Sequence, residues 1–257
     1  MVLAYKTSPY LEACILSLLA QTWQSRIIIT TSTPNSHIEE IARKYDIELR
    51  INDNCGNIAS DWNFAFAQSP TDLLTLAHQD DIYHPEYSSQ VIKSLRKSSD
   101  SLIAFTDYEE LVNGIPHRNT VCLIVKRLLL WPFYIKRTWT SKLIKKIIIY
   151  PGNPICCPSV SFNRSNLQDF KFHSEYSVNL DWSAWLDLAE YNGSFSFISK
   201  CLMQHRLCPE NETAASIIEN RRQQEDAKIF MRLWPAFMAK ILTALYSLSY
   251  IKEKHDG

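Results

Sequence analysis

The chain has 257 residues, enough to bury a substantial core in one domain or in one domain with an appendage. Hydrophobic residues make up 46% and charged residues 21%, which argues against a disordered chain or a fibre. The 27 basic and 27 acidic side chains cancel, which argues against whole-molecule attraction to nucleic acid, so any basic patch must be local.

In chain order, the first hundred residues alternate between two periods. "MVLAY" reads as a strand. Ser8 as a cap and Pro9 as a first-turn proline then introduce a helix in which Leu11, Cys14, Ile15, Leu18 and Leu19 recur at helical spacing. "RIIITT" is a second strand, "SHIEEIARKY" a helix with Ile38, Ile41, Ala42 and Tyr45 on one side, and "IELRI" a third strand. "NIASDWNFAFAQS" reads as helix, "DLLTLA" as strand, "PEYSSQVIKSLRKS" as helix and "SLIAFTDY" as strand. Strands that alternate with helices predict an α/β fold, a mostly parallel sheet covered on both faces. In such sheets ligands bind beyond the carboxyl ends of the strands.

Asp80 and Asp81 stand at one of those ends, after "LLTLAHQ". A carboxylate pair there suits Mg2+ or Mn2+, hard cations that prefer oxygen ligands and keep positions open for a diphosphate. In the competing reading, one aspartate caps the helix that begins near Pro85 and the other is solvated. Five glycines, at 56, 114, 152, 193 and 257, cannot build a G-x-G-x-x-G or Walker A loop, so phosphates must be managed by metal and side chains. The seven cysteines form no CxxC pair and suggest neither a zinc knuckle nor a disulfide framework. The amino terminus reads as a strand and a helix rather than as a signal peptide, and no window holds the roughly 20 apolar residues of a spanning helix. A cytoplasmic protein in a reducing compartment is expected.

The ordered segments "AYKTSPYLEACILSLLAQTW", "RIIITTSTPN", "NIASDWNFAFAQ", "LAHQDDIYHPEY", "NPICCPSVSFNRS", "NLDWSAWLDLAE" and "HRLCPENET" together resemble family 2 glycosyltransferases of the GT-A fold, over roughly residues 2–215. The resemblance implies a Rossmann-like domain over 1–213, a nucleotide-sugar donor (a UDP-sugar first), a divalent metal, and a glycan or lipid-linked acceptor in bacterial surface polysaccharide assembly. It also implies roles for particular residues. The family's D-x-D place reads His78, Gln79, Asp80, which makes Asp80 the metal ligand, Asp81 its helper, and His78 a replacement for the first aspartate. Thr31 stands where members often carry a base-reading aspartate. Tyr5 matches the aromatic of the first loop and either packs on the base or is an ordinary strand-end tyrosine. Asp181 falls at the place of the catalytic base for an inverting single displacement; helix capping is the competing role. "QHRLCPENET" resembles the loop that closes over the diphosphate, with His205 or Arg206 as the phosphate contact. Asp61 and Asn63 fall near the site, and Trp62 is assigned to the core.

Two segments lie outside that alternation. Ile124 to Tyr150 holds seven lysines and arginines and no acidic residue, interleaved with Trp131, Phe133, Tyr134, Trp139 and Tyr150. Such a basic, aromatic helical insertion (120–150) suits peripheral contact with an anionic membrane at the inner face of the plasma membrane; a flap that only packs is the other reading, and nucleic acid is not expected. The extension 214–257 reads as amphipathic helix interrupted at Pro235. Two other functions share this fold class. A sugar nucleotidyltransferase would carry a glycine- and arginine-rich loop where "AYKTSPY" stands. A non-catalytic binding module would tolerate His78 and Thr31 but would not need Asp80 and Asp181.

Overall fold

The computed structural model describes residues 1–54, 56–207 and 221–253, with side chains described to residue 247. The expected alternation opens the fold: β1 (Val2–Leu3), α1 (Leu11–Leu19), β2 (Ile28–Thr31), α2 (Ser36–Lys44), β3 (Glu48–Ile51) and α3 (Ile58–Gln68). Residues 73–78 then form one extended run shared between two sheets, β4 (Leu73–Thr75) and β5 (Ala77–His78). The first sheet has the order β3-β2-β1-β5 and is parallel throughout. Asparagines start two of its helices: Asn35 accepts from the Ile38 amide (3.1 Å) and Asn57 from the Ser60 amide (2.9 Å), each satisfying a donor that has no partner inside the helix. The expected Ser8 cap is displaced. Its hydroxyl accepts from the Tyr10 amide (3.3 Å), and α1 starts only at Leu11.

The second half builds a curled, mixed sheet. After β6 (Ile82–Tyr83) and α4 (Tyr87–Leu95) come β7 (Ser101–Val112), β8 (Ile115–His117), α5 (Val121–Leu129), α6 (Trp131–Ile135), β9 (Thr138–Trp139), α7 (Lys142–Ile149), β10 (Val160–Asn163), α8 (Leu180–Glu190) and β11 (Ser194–Leu207). The sheet order is β4-β10-β7-β11-β6; β7 and β11 run parallel and the other pairs antiparallel. The parallel arrangement read from the sequence thus holds for the first sheet and for the central β7–β11 pair. The antiparallel partners enter because the chain makes a long helical excursion between β8 and β10.

The core lies between the second sheet and α3, α7 and α8. Trp182 and Trp185 of α8 are fully buried, as are Phe105, Phe162 and Phe195 on the strands. Their indole N–H groups donate to the carbonyls of Ile149 (2.9 Å) and Ile155 (3.3 Å), so neither ring carries a buried orphan donor. Trp62 joins this core edge-on to Phe172, 5.1 Å between centroids. The carboxyl-terminal helices α9 (Arg221–Leu233) and α10 (Ala236–Glu253) pack against α8, with Phe230 and Tyr246 at 5.2 and 5.8 Å from Trp182. The expected boundary at 213/214, with Ile217 and Ile218, lies outside the described residues.

The turn from α8 into β11 needs a glycine. Gly193 has φ of +132°, and a Cβ there would overlap the Asp100 carbonyl oxygen and lie 2.7 Å from Leu102 Cγ. Gly114 also has positive φ (+80°), but a Cβ would meet nothing within 4 Å. In urea unfolding, Gly193→Ala is expected to cost about 3 kcal/mol or more, and Gly114→Ala only about 1 kcal/mol. Equal costs for the two would contradict the close approach at Gly193.

Candidate active site

The segments that leave the carboxyl ends of β1, β2, β3 and β5 converge on one edge of the parallel sheet. Two hydrogen bonds close that edge. The Gln79 amide oxygen accepts from the Tyr5 amide and its nitrogen donates to the Tyr5 carbonyl, both at 3.0 Å, so Gln79 fastens the first loop to the acidic turn. Tyr5 itself is half exposed, and the Lys6 ammonium lies 5.0 Å from its ring centre. Lys6 is held in the left-handed region (φ 53°), and its amide donates to Thr33 Oγ1 (2.6 Å).

Thr31 is buried at the end of β2, where its hydroxyl accepts from the Thr33 amide (3.0 Å) and shapes the turn. The carboxylate of this corner comes instead from Asp61 in the first turn of α3, which accepts from Ser32 Oγ (2.8 Å) and Asn52 Nδ2 (2.8 Å). Asn63 turns the other way and exchanges two 2.8 Å bonds with the Phe172 backbone.

The acidic turn is centred on Asp81, which is fully buried. One of its oxygens, Oδ1, accepts from the Arg206 amide (2.9 Å) and pairs with His205 Nδ1 (3.0 Å), both at the end of β11. Burial alone would lower the His205 imidazole, but the Asp81 carboxylate and its hydrogen bond hold it above its ordinary value. Asp81 Oδ2 and His78 Nε2 are buried without a hydrogen-bond partner among the described residues. Burial, and then the negative charge of Asp81, push the Asp80 carboxyl up. His78, Asp80 and Asp81 each bring a ligand atom within 4.8 Å of the others. Two buried polar atoms without partners beside a carboxyl that resists ionisation suit a hard cation, which would satisfy the oxygens and relieve their repulsion. His84, Glu109 and Cys201 also gather, but Glu109 there already accepts from Gln204 (2.8 Å). Arg206 completes the acidic turn: its Nε donates to the Asp80 carbonyl (2.9 Å), and its guanidinium lies 4.1 Å from the centre of the Tyr10 ring. Beyond Leu207, the expected diphosphate loop lies outside the described residues.

Asp181 sits in the first turn of α8, one residue past its start, and Asn179 occupies the cap position. It accepts from Asn153 Nδ2 (2.8 Å) and from the Trp182 amide (2.7 Å). Burial pushes its carboxyl above the ordinary value, while the charges of Arg222 and Lys126 and the Asn153 bond act in the opposite sense. Burial pushes the Cys156 thiol up, and the Asp81 and Asp181 carboxylates act in the same sense. Lys126 reaches the same region from α5 and donates to the Tyr108 hydroxyl (2.8 Å).

The amino end of α8 is capped from a distance. Glu225 of α9 accepts from the amides of Ser177 (2.8 Å), Val178 (2.9 Å) and Asn179 (2.8 Å) and from the Ser177 hydroxyl (2.8 Å). Its neighbour Asp226 accepts from Asn179 Nδ2 (2.7 Å). Sequence reasoning missed Glu225, placed Asp61 near the site and Gln79 in the acidic turn without their contacts, and read Lys126 as part of a surface patch. The contacts of the first three are ones that no local pattern announces.

Against known proteins, the family model described as "Glycosyl transferase family 2" matches residues 1–168. The chain belongs to glycosyl transferase family 2. Solved structures agree on the GT-A fold. S. aureus TarS 1–349 in complex with UDP-GlcNAc superposes with a TM-score of 0.62 at 16% identity, over 95% of this chain and 70% of that one. The mannosyltransferase PcManGT from Pyrobaculum calidifontis, in complex with GDP-Man and Mn2+, gives 0.58 at 13% identity over 96% and 67%. Glucosyl-3-phosphoglycerate synthase from Mycobacterium tuberculosis gives 0.56 at 14% identity over 90% and 78%. This family 2 chain spans 42% of the longer TarS structure. No curated protein sequence matches it.

The Glu225 contacts generate a two-sided expectation. Burial raises its carboxyl, but the Asn179, Ser177 and Val178 donors outweigh that and hold it below the ordinary 4.5. A depressed folded value adds stability above pH 4.5 that is lost as pH falls through the folded value. Glu225→Gln should therefore lower the unfolding free energy at neutral pH by about 1–3 kcal/mol and flatten the loss of stability on acidification. A variant as stable as the parent, with the same acid limb, would show that the cap carries no energy.

Proposed function

We propose that this family 2 chain transfers a sugar from a nucleoside-diphosphate donor, a UDP-sugar, to a hydroxyl of a glycan or lipid-linked acceptor, with inversion, in cell-surface polysaccharide assembly. The observations that carry the reading are two acidic centres, one on the parallel sheet and one on α8. One, Asp80 with Asp81, lies at the carboxyl edge of the parallel sheet, where Asp81 Oδ2 and His78 Nε2 have no partner among the described residues. The other, Asp181, is a carboxyl kept up by burial at the start of a locked helix. The complexes of TarS with UDP-GlcNAc and of PcManGT with GDP-Man and Mn2+ support the donor class.

In this reading the diphosphate lies over the acidic turn and the base beside Tyr5, with Asp61 and Thr31 forming the floor. Asp80, helped by Asp81, would hold Mn2+ or Mg2+, whose charge neutralises the departing nucleoside diphosphate. Arg206, oriented by the Asp80 carbonyl and the Tyr10 ring, would set its guanidinium beside the phosphate oxygens. Asp181 takes the proton of the acceptor hydroxyl as its oxygen bonds to the anomeric carbon. The bond from that carbon to the diphosphate oxygen breaks on the opposite face, and its electron pair leaves with the nucleotide. Inversion follows from the single displacement. The Asn153 bond fixes the carboxylate, and its raised proton affinity makes it a better base than a solvated aspartate.

A thermal-shift panel of nucleotide sugars and nucleoside diphosphates with Mn2+ tests the division of roles. One nucleotide should raise the midpoint of the wild type, fail to do so for Asp80→Ala, and still do so for Asp181→Asn. No stabilisation by any nucleotide would remove the donor assignment. Release of nucleoside diphosphate from the stabilising donor, with water as acceptor, should fall by about 10²–10⁴-fold in Asp181→Asn. In the wild type this rate should climb with pH as Asp181 ionises, with the limb above the ordinary carboxylate value of 3.8. A pH-independent rate equal to that of Asp181→Asn would remove Asp181 as base.

A further inference from the structure

The helices between β8 and β10 are amphipathic in an inverted sense. In α5, Val121, Ile124, Val125 and Leu128 recur at the spacing of one helix face, and that face is turned to solvent, each residue being 46–66% exposed. The opposite side carries buried Leu123 and also Lys126, which reaches Tyr108 and the charge field of Asp181. The next helix continues the exposure with Trp131 (57%) and Ile135 (74%), and α7 adds Leu143 (66%). An apolar stripe of this length in water calls for a partner.

Charge identifies the partner. From Leu111 to Gln168 the chain holds nine lysines and arginines and no aspartate or glutamate; Arg118, Arg127 and Lys146 pair with Glu109, Asp107 and Glu190 and Lys145 is buried, which leaves Lys136, Arg137 and Lys142 as the exposed cations around α6 and α7. Directly after α6, an open recess of about 330 Å³ is lined by Lys97, Lys136 and Arg137 with Ser94, Ser98, Thr138 and Ser196; the Ser98 hydroxyl donates to Asp100, and the Thr138 and Ser196 hydroxyls bond each other (3.0 Å). Arg137 is held there by the Phe133 carbonyl (3.3 Å) and by the Tyr134 ring, 5.3 Å from its guanidinium. Cations and hydroxyls around an open recess suit a phosphate group, and the apolar helices beside it suit acyl chains. No helix among the described residues is long and apolar enough to cross a membrane, so the surface lies on a bilayer rather than through it.

We propose that α5 and α6 form a docking surface for anionic phospholipid: the Val121–Leu128 stripe and α6 enter the headgroup region, and the Lys97–Lys136–Arg137 recess takes a lipid phosphate. The inference deepens the proposed function by naming where the acceptor is met: α5 lies on the bilayer with its outer face and sends Lys126 inward to the Tyr108 hydroxyl of β7. Docking is measured without turnover, so its failure and a failure of the transferase reading are distinguishable.

The test is co-sedimentation of the full chain with vesicles of phosphatidylglycerol and phosphatidylcholine, compared with phosphatidylcholine alone. The wild type should sediment with the anionic vesicles only. Leu128→Glu combined with Ile135→Glu should lower the partition coefficient by roughly ten-fold or more. Lys97→Gln and Lys136→Gln should lower it by about five-fold each. All four positions are solvent-facing or line an open recess, so the unfolding midpoints should stay at the wild-type value, and inorganic phosphate should not compete. The proposal would be overturned by a wild type that stays in the supernatant, by apolar variants that sediment like the wild type, or by a concentration-dependent dimer that Leu128→Glu dissociates. The last would assign the face to a second copy of the chain. Release of the wild type by inorganic phosphate would make the recess a free-anion site and would also overturn it.

Discussion

The molecule is organised around one buried carboxylate. Asp81 is shut away from solvent, yet it spends one oxygen on the amide and imidazole at the end of β11 and leaves the other without a partner among the described residues. A buried charge is stable only where donors or a cation compensate it, so its environment is dictated within narrow limits. The donated bonds join the turn after β5 to the end of β11, 124 and 125 residues away in sequence. That junction brings Arg206 back over Tyr10 and beside the Asp80 carbonyl. The first loop is drawn in by a different device, the paired bonds of Gln79 to Tyr5, so both walls of that sheet edge depend on three consecutive residues.

A second dependence runs through the carboxyl-terminal helices. Asp181 can serve as a base only if α8 holds it still, and the cap at the start of α8 is supplied by Glu225 rather than by a neighbouring residue. Phe230 and Tyr246 close on Trp182, and the Tyr246 hydroxyl accepts from the amide of Asn153, whose side chain orients Asp181. These helices are therefore structural parts of the candidate site, and their packing against α8 connects fold stability to the proposed chemistry.

Much of this was legible in the residues. Strand and helix periods place β1 to β3, the run that divides into β4 and β5, and the start of β7 within a few residues, because each helix buries one face; β6 was not read. The acidic turn and Asp181 are legible because a strand end and a helix start are the places such chemistry needs. Three features were not. The cap by Glu225 spans more than forty residues and leaves no periodic trace. Thr31 marked the right corner, but its hydroxyl is used inside the turn, and the carboxylate there is that of Asp61. The direction of α5 was also hidden, since "VCLIVKRLL" is apolar on nearly every side and only tertiary packing decides which side faces out.

The most direct measurement is electron paramagnetic resonance of Mn2+ titrated into the protein with UDP, in the wild type and in Asp80→Asn. The account predicts that the wild type with UDP quenches the free Mn2+ signal with one-site stoichiometry, and that Asp80→Asn leaves it as in buffer containing UDP alone. Equal signals from the two proteins would contradict the claim that the turn at the end of β5 is a metal-assisted diphosphate site.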